Sequence, residues 1–202
     1  MVAQPRAVLF DLDGVLVKSE ETWFRVLEEA GRRFRGRPVS REEFAPTFGQ
    51  GTAADVRVFA LGCAVPELDA FYLQHFARHA ETMWVNPEAA PLLAALEARG
   101  LKLALVTNSV TRLAEEILNL ARLRGFFQVV ACADQVAHAK PAPDLVLHAC
   151  RELGVPPAEA WMVGDSRYDR GAAEAARVTF VGLCLDGEVR IDRLGDLAAR
   201  LP

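Results

Sequence analysis

Four short clusters carry residue types suited to handling phosphate or a cation: Asp11-Leu12-Asp13-Gly14, Thr107-Asn108-Ser109, Lys140-Pro141-Ala142-Pro143-Asp144 and Gly164-Asp165-Ser166-Arg167-Tyr168-Asp169. Together they offer several carboxylates, one hydroxyl and one ammonium, the groups that hold a cation or donate to phosphate oxygens. The ammonium stands out, because the chain has 20 arginines and only Lys18, Lys102 and Lys140. Taken singly, an acid after a strand is commonly a helix N-cap. The clusters gain meaning from their common register with the elements around them.

Those elements alternate. Apolar runs of strand length, Ala7 to Phe10, Leu101 to Val106, Phe127 to Ala131, Ala160 to Val163 and Val178 to Leu183, are separated by amphipathic segments of helix length. The helical segments are Glu88 to Arg99, Thr111 to Arg122, Asp144 to Leu153 and Asp169 to Arg177. This rhythm predicts an α/β fold: a doubly wound, Rossmann-like parallel sheet with helices on both faces. In such a sheet ligands bind beyond the carboxyl ends of the strands, which is where the four clusters fall. The rhythm breaks after the first strand, where Glu20 to Ala30, Thr52 to Leu61 and Glu67 to Ala80 repeat apolar residues at helical spacing. A small helical cap over 17–83, inserted into a core of 1–16 and 84–202, is the expected organisation. Turn residues at Gly31 to Pro38 and at Asn86-Pro87 punctuate it.

Composition narrows the function classes. The chain has 202 residues, is 51% apolar and 25% charged, and carries a net charge of −4. That is a globular composition without the basic excess of a nucleic-acid binder. No apolar run approaches the ~20 residues of a membrane span, so neither nucleic acid nor membrane is an expected partner. The start, Met1 to Arg6, has no apolar stretch behind its charge, so a cytoplasmic location is expected. Cys63, Cys132, Cys150 and Cys184 are widely spaced, and with the four histidines they complete no zinc spacing. Reduced, mostly buried thiols follow. Oligomeric state is left open.

The order D-x-D-G, T-N-S, K-P-x-P-D, G-D-S-x-x-D resembles that of the haloacid dehalogenase superfamily of aspartyl phosphohydrolases. The helical insertion resembles the cap of its phosphoglycolate phosphatase and β-phosphoglucomutase branch. The resemblance implies a phosphatase acting on a small phosphate ester, with phosphoglycolate or a sugar phosphate leading. Asp11 is implied as the nucleophile, and Asp13 as the acid that protonates the leaving oxygen and then the base that activates water. Mg²⁺ is the implied cofactor, held by the Asp11 carboxylate, the Asp13 carbonyl and Asp165, with Asp169 behind them orienting water or Lys140. Lys140 would offset the repulsion between a carboxylate and a phosphate dianion. The Thr107 hydroxyl and the Asn108 backbone amide would bind phosphate oxygens, and Gly14 would permit close backbone approach. A proton donor such as Asp13 is what ester cleavage needs and halide departure does not. A phosphomutase, and more remotely a catalytically silent binding protein on the same scaffold, are the alternatives.

The insertion holds several candidates. Gly49-Gln50-Gly51 lacks the preceding strand that a dinucleotide loop requires. It resembles instead a specificity loop that would place Gln50 over the leaving group. Arg32, Arg33, Arg35, Arg37 and Arg41 read as a salt-bridged surface facing Glu28, Glu29, Glu42 and Glu43. Trp23, Phe24, Phe44, Phe48, Phe59 and Phe71 read as core of the insertion. His75 and His79 sit one helical turn apart without a third ligand in the sequence nearby. Ser109 reads as the N-cap of the helix that follows it. Lys18 departs from the acidic residue common at this point in the family, and it is a candidate to reach a substrate anion.

Overall fold

The computed structural model describes residues 4–201. It divides into two compact units: residues up to Val17 together with those from Val85 onward, and Lys18–Trp84.

The first unit is built on a parallel sheet of β1 (Ala7–Phe10), β4 (Lys102–Thr107), β5 (Val129–Cys132), β6 (Ala160–Gly164), β7 (Thr179–Leu183) and β8 (Val189–Ile191). The strand order is β5-β4-β1-β6-β7-β8. β1 is central, pairing Ala7 with both Lys102 and Ala160 and Phe10 with both Leu105 and Val163. All four β1 residues are fully buried. This is why it reads as an unbroken apolar run: a strand covered on both faces has no polar side. The chain winds outward from β1 to β4 and β5, then returns to β6 on the other flank, so the strand order reverses at β1. That reversal brings the carboxyl ends of β4, β1 and β6 side by side.

The crossovers are helical: α5 (Ala89–Ala98), α6 (Thr111–Leu120), α7 (Asp144–Leu153) and α8 (Arg167–Ala176), with α9 (Leu197–Arg200) at the end. Leu145, Val146, Ala149 and Leu153 of α7 and Ala172, Ala173 and Ala176 of α8 pack with Ala7, Leu9, Ala104 and Val106 on one face. Side chains alternate along a strand, so Val8, Phe10, Leu103 and Leu105 serve the other face, where the Phe10 ring meets Phe127 edge-on at 6.4 Å. Truncating one of these buried leucines is expected to cost about 2–5 kcal/mol. Lys102 is spent locally, its ammonium donating to the Leu153 carbonyl at the end of α7 (2.5 Å).

The Lys18–Trp84 unit holds α1 (Glu20–Arg35), α2 (Arg41–Phe44), α3 (Thr52–Val58) and α4 (Val65–Phe76). β2 (Val17–Lys18) and β3 (Trp84–Val85) pair as a separate ribbon. Trp23, Val26, Leu27 and Ala30 give α1 its buried stripe. The Trp23 ring lies 5.1 Å from both Tyr72 and Phe76, and Phe44 stacks obliquely on Phe24 and Phe48.

The turn read over Gly31 to Pro38 comes only at its far end: α1 runs through Gly31 to Arg35 and closes on Gly36 in the left-handed region. A Cβ at Gly31 would stand 2.7 Å from the Arg37 carbonyl oxygen and the Val39 nitrogen. The glycine therefore serves the close return of the chain against the helix. β8 was likewise not expected, since its three residues flanked by Glu188 and Asp192 are too short to show a pattern. Among the described residues no helix is long and apolar enough to cross a membrane.

Candidate active site

Lys140 lies at the centre of the four clusters. Its Nζ donates to Asp11 Oδ1 (2.6 Å), Asp169 Oδ1 (2.6 Å) and the Val106 carbonyl (3.0 Å). Asp11 follows β1 and Asp169 lies in the first turn of α8, so the ammonium joins two elements that flank the sheet edge. Lys140 is only 5% exposed and Asp169 is fully buried, which is tolerable for charges only when they are paired and hydrogen-bonded.

Asp169 is occupied on both sides. Its second oxygen accepts from the Ser166 N–H (3.1 Å) and hydroxyl (2.5 Å), while the Ser166 oxygen accepts from the Asp169 N–H (3.3 Å). This capping box starts α8 and at the same time aims the carboxylate at Lys140. The sequence pattern G-D-S-x-x-D thus serves both as a helix start and as a lysine holder.

Gly14 has φ +87°, and a Cβ built on it would meet Asp165 Oδ2 at 1.9 Å. The space a side chain would fill is taken by the Asp165 carboxylate, so the close approach expected at Gly14 is that of another residue of the site. Asp13, partly exposed, lies in the same turn.

Thr107 ends β4 and is buried, its hydroxyl oxygen accepting from the Ser109 N–H at 3.2 Å. Asn108 turns its side chain on Lys140 instead of projecting it outward: Oδ1 accepts from the Lys140 N–H (2.8 Å) and Nδ2 donates to the Lys140 carbonyl (3.0 Å). Ser109 does not cap α6. Val110 occupies that position, and Asp134 accepts from the Thr111 N–H and hydroxyl across the loop (2.9 and 2.8 Å).

The site carries excess negative charge. Burial, and then the Asp169 carboxylate, hold Asp11 well above the ordinary carboxylate range despite Lys140. Burial and then Asp169 push Asp165 up to about 7. For Lys140, burial alone would lower the value, but Asp11 and Asp169 outweigh it and raise it. Asp11, Asp165 and Asp169 each offer an oxygen within 4.8 Å of the others, the only such acidic, histidine or cysteine group among the described residues. A divalent cation fits this donor set: the oxygens are hard, and positive charge is what the carboxylates lack. Because both Asp169 oxygens are committed, Asp11 and Asp165 are the carboxylates suited to hold it.

In the Lys18–Trp84 unit Gln50 donates to Asp55 Oδ1 (2.9 Å), and the Tyr72 hydroxyl donates to Asp55 Oδ2 (2.8 Å). No strand precedes the Gly49-Gln50-Gly51 loop; α2 and a 3₁₀ turn do. Glu29 is the partner shared by His75 (2.6 Å) and His79 (3.0 Å). Of the arginines, Arg35 and Arg37 both bind Glu43, Arg32 binds Glu28 and Arg41 binds Glu21. Lys18 holds its ammonium 5.1 Å from the Trp84 ring centre. The four cysteines are free thiols, Cys132 and Cys150 buried and Cys184 exposed. Asp55 was not singled out from sequence, and Glu29 was read as facing the arginine cluster, since an acid on a helix carries no local sign that its partner is a tyrosine or a histidine pair from another element.

Residues 5–177 match the family described as haloacid dehalogenase-like hydrolase. A phosphoglycolate phosphatase of Pseudomonas putida is 32% identical over 219 residues, covering 98% of this chain and 79% of that protein. An N-acetylmuramic acid 6-phosphate phosphatase of Pseudomonas aeruginosa is 31% identical over 170 residues, covering 81% of this chain and 75% of that protein. Among solved structures, a HAD-superfamily hydrolase, subfamily IA, variant 1, of Geobacter sulfurreducens superposes with a TM-score of 0.75 at 26% identity, covering 98% and 97% of the two chains. The chain belongs to the haloacid dehalogenase-like hydrolase family, and with its phosphatase relatives it is a phosphoric monoester hydrolase.

Proposed function

We propose that this hydrolase removes phosphate from a small phosphorylated metabolite, phosphoglycolate or a sugar phosphate, through an aspartyl phosphate on Asp11 and with Mg²⁺ as cofactor. The observation that supports this best is the buried Lys140 ammonium held between Asp11 and Asp169 at 2.6 Å each, beside a third carboxylate at Asp165. Mg²⁺ bound by Asp11, the Asp13 carbonyl and Asp165 would neutralise charge on the phosphate.

In this reading an Asp11 carboxylate oxygen attacks phosphorus as the ester P–O bond breaks, and Asp13 gives its proton to the departing oxygen. Asp13, now ionised, takes a proton from water. The water oxygen attacks phosphorus, and the Asp11 carboxylate leaves. Lys140 holds Asp11 in place and, together with the bound cation, would offset the burial and the Asp169 charge that raise its pKa, so that the carboxylate is ionised as a dianion approaches. The Thr107 hydroxyl and the Asn108 N–H donate to phosphate oxygens, and Asp169 keeps Lys140 aimed. The helical Lys18–Trp84 unit would serve as the cap expected from sequence, with Gln50 its candidate for meeting the leaving group. The two relatives, a phosphoglycolate phosphatase and an N-acetylmuramic acid 6-phosphate phosphatase, support this substrate range.

The test is phosphate release from a panel of small phosphoesters, with Mg²⁺ or with chelator. Release from phosphoglycolate or a sugar phosphate that requires Mg²⁺ supports the reading. Conversion of β-glucose 1-phosphate into an isomer without release would replace it with a mutase, and no turnover of any ester would overturn it.

A further inference from the structure

We infer that Asn108 is a positioning residue whose side chain sets the backbone of Lys140, and through it the place of the ammonium. The inference leans on the proposed function only for its effect on turnover. Residues 136–143, from which Lys140 projects, belong to no helix or strand. A lysine has a long, rotamer-rich side chain, and holding its Nζ at one point requires that its Cα be held as well. Asn108 supplies that hold, accepting from the Lys140 N–H at 2.8 Å and donating to its carbonyl at 3.0 Å. Asparagine suits the task because one planar amide carries an acceptor and a donor side by side. Asn108 is itself 7% exposed and follows β4 directly, so the clamp is anchored to the sheet. Nζ then reaches Asp11, Asp169 and the Val106 carbonyl two residues before the asparagine. The lysine is thereby tied to one strand end at both its backbone and its tip.

The test follows the lysine itself. A buried, salt-bridged ammonium exchanges its protons slowly enough to give an NMR signal, assigned by its loss in Lys140→Ala. In Asn108→Ala, with no added ligand, those protons are expected to exchange about tenfold faster or more, as the loss of two buried hydrogen bonds implies. Asn108→Asp, which keeps the acceptor but removes the donor, is expected to fall between that variant and the wild type. In both, kcat should drop more than KM rises. Unchanged ammonium exchange in a folded variant overturns the inference, and a drop in kcat with unchanged exchange assigns the side chain to the substrate instead. If Asn108→Ala does not fold, Asn108→Asp decides between the same outcomes. Failure of both to fold also overturns it, since the residue would then hold the core and not one lysine. A chain that hydrolysed no phosphate ester would leave the exchange result standing, so the two readings fail separately.

Discussion

The Asp11 carboxylate and the Lys140 ammonium lie 2.6 Å apart across 129 positions of sequence, both almost wholly removed from water. Such a pair is expensive to bury, and breaking a buried pair typically costs about 3–5 kcal/mol when the remaining charge has no other partner. Here it does have one, because Asp169 also binds Lys140 at 2.6 Å. The lysine is shared, so Asp11 is the less compensated of the two acids, in keeping with its raised pKa.

Asp11→Asn should therefore abolish turnover without unfolding the chain. The amide cannot act as the nucleophile, and a loss of at least about 10³-fold in phosphate release is expected. Because the change removes one of several repelling carboxylates, Tm should equal or exceed that of the wild type. A loss of phosphate release much smaller than about 10³-fold, or a Tm fall of several degrees, would contradict the role given to Asp11.

Metal removal offers a second measurement. If Asp11 and Asp165 hold a divalent cation, Mg²⁺ should stabilise the fold by about 2.7 kcal/mol at a hundred times its Kd, seen as a rise in Tm that chelator reverses. Asp165→Asn should largely lose that rise, while Asp144→Asn, which alters an acid whose nearest named partner is His138, should keep it. Equal Mg²⁺ responses in the wild type and Asp165→Asn would remove Asp165 from the metal site.

What could be read from sequence follows a physical divide. Strands buried on both faces, such as Ala7–Phe10 and Ala160–Gly164, announce themselves as apolar runs, and the polar clusters at their ends are legible because topology brings parallel strand ends together. The capping box at Ser166 and Asp169 is a local pattern, three residues apart at the start of a helix, although Asp169 was expected as the acid behind the metal ligands. The hold of Asn108 on Lys140 is not local, since it joins a side chain to backbone groups 32 positions away. The capping of α6 by Asp134, 23 positions beyond Thr111, escaped for the same reason. Gly31 shows the converse: the turn of the Gly31 to Pro38 stretch forms only at Gly36, while Gly31 itself stands inside the helix beside a close backbone contact.

The Lys18–Trp84 unit makes a pH prediction through Asp55, which is 8% exposed. Burial, against the hydrogen bonds from Gln50 and Tyr72, raises its pKa from 3.8 to about 6. A carboxyl raised in the folded state binds its proton more tightly there than in the unfolded chain. Its stabilising contribution is thus complete below about pH 4 and is lost as pH rises through about 6. At 1.36 kcal/mol per pKa unit the loss is on the order of 3 kcal/mol. In unfolding experiments from pH 4 to 7, the wild type should lose about this much relative to Asp55→Asn. Parallel curves for the two proteins would show that Asp55 is not the group responsible.

Gly14→Ala tests whether the turn after β1 is shaped by its neighbour across the site. The added Cβ would stand 1.9 Å from Asp165 Oδ2, in a backbone of φ +87° that favours glycine. Strain of this kind costs about 1–3 kcal/mol, and the collision adds to it, so a drop in Tm is expected even without metal. The diagnostic part is separate from stability. The alanine can be accommodated only if Asp165 withdraws, and a carboxylate moved by an ångström or more no longer shares a cation with Asp11. The Mg²⁺-induced rise in Tm should therefore shrink along with the starting Tm, and Mg²⁺ titrations of activity should need at least about tenfold more metal, the effect typical of displacing the support of a ligand. A variant that lost stability but kept its Mg²⁺ response would mean that Gly14 serves the turn alone, and that the packing of Asp165 against it is incidental to the site.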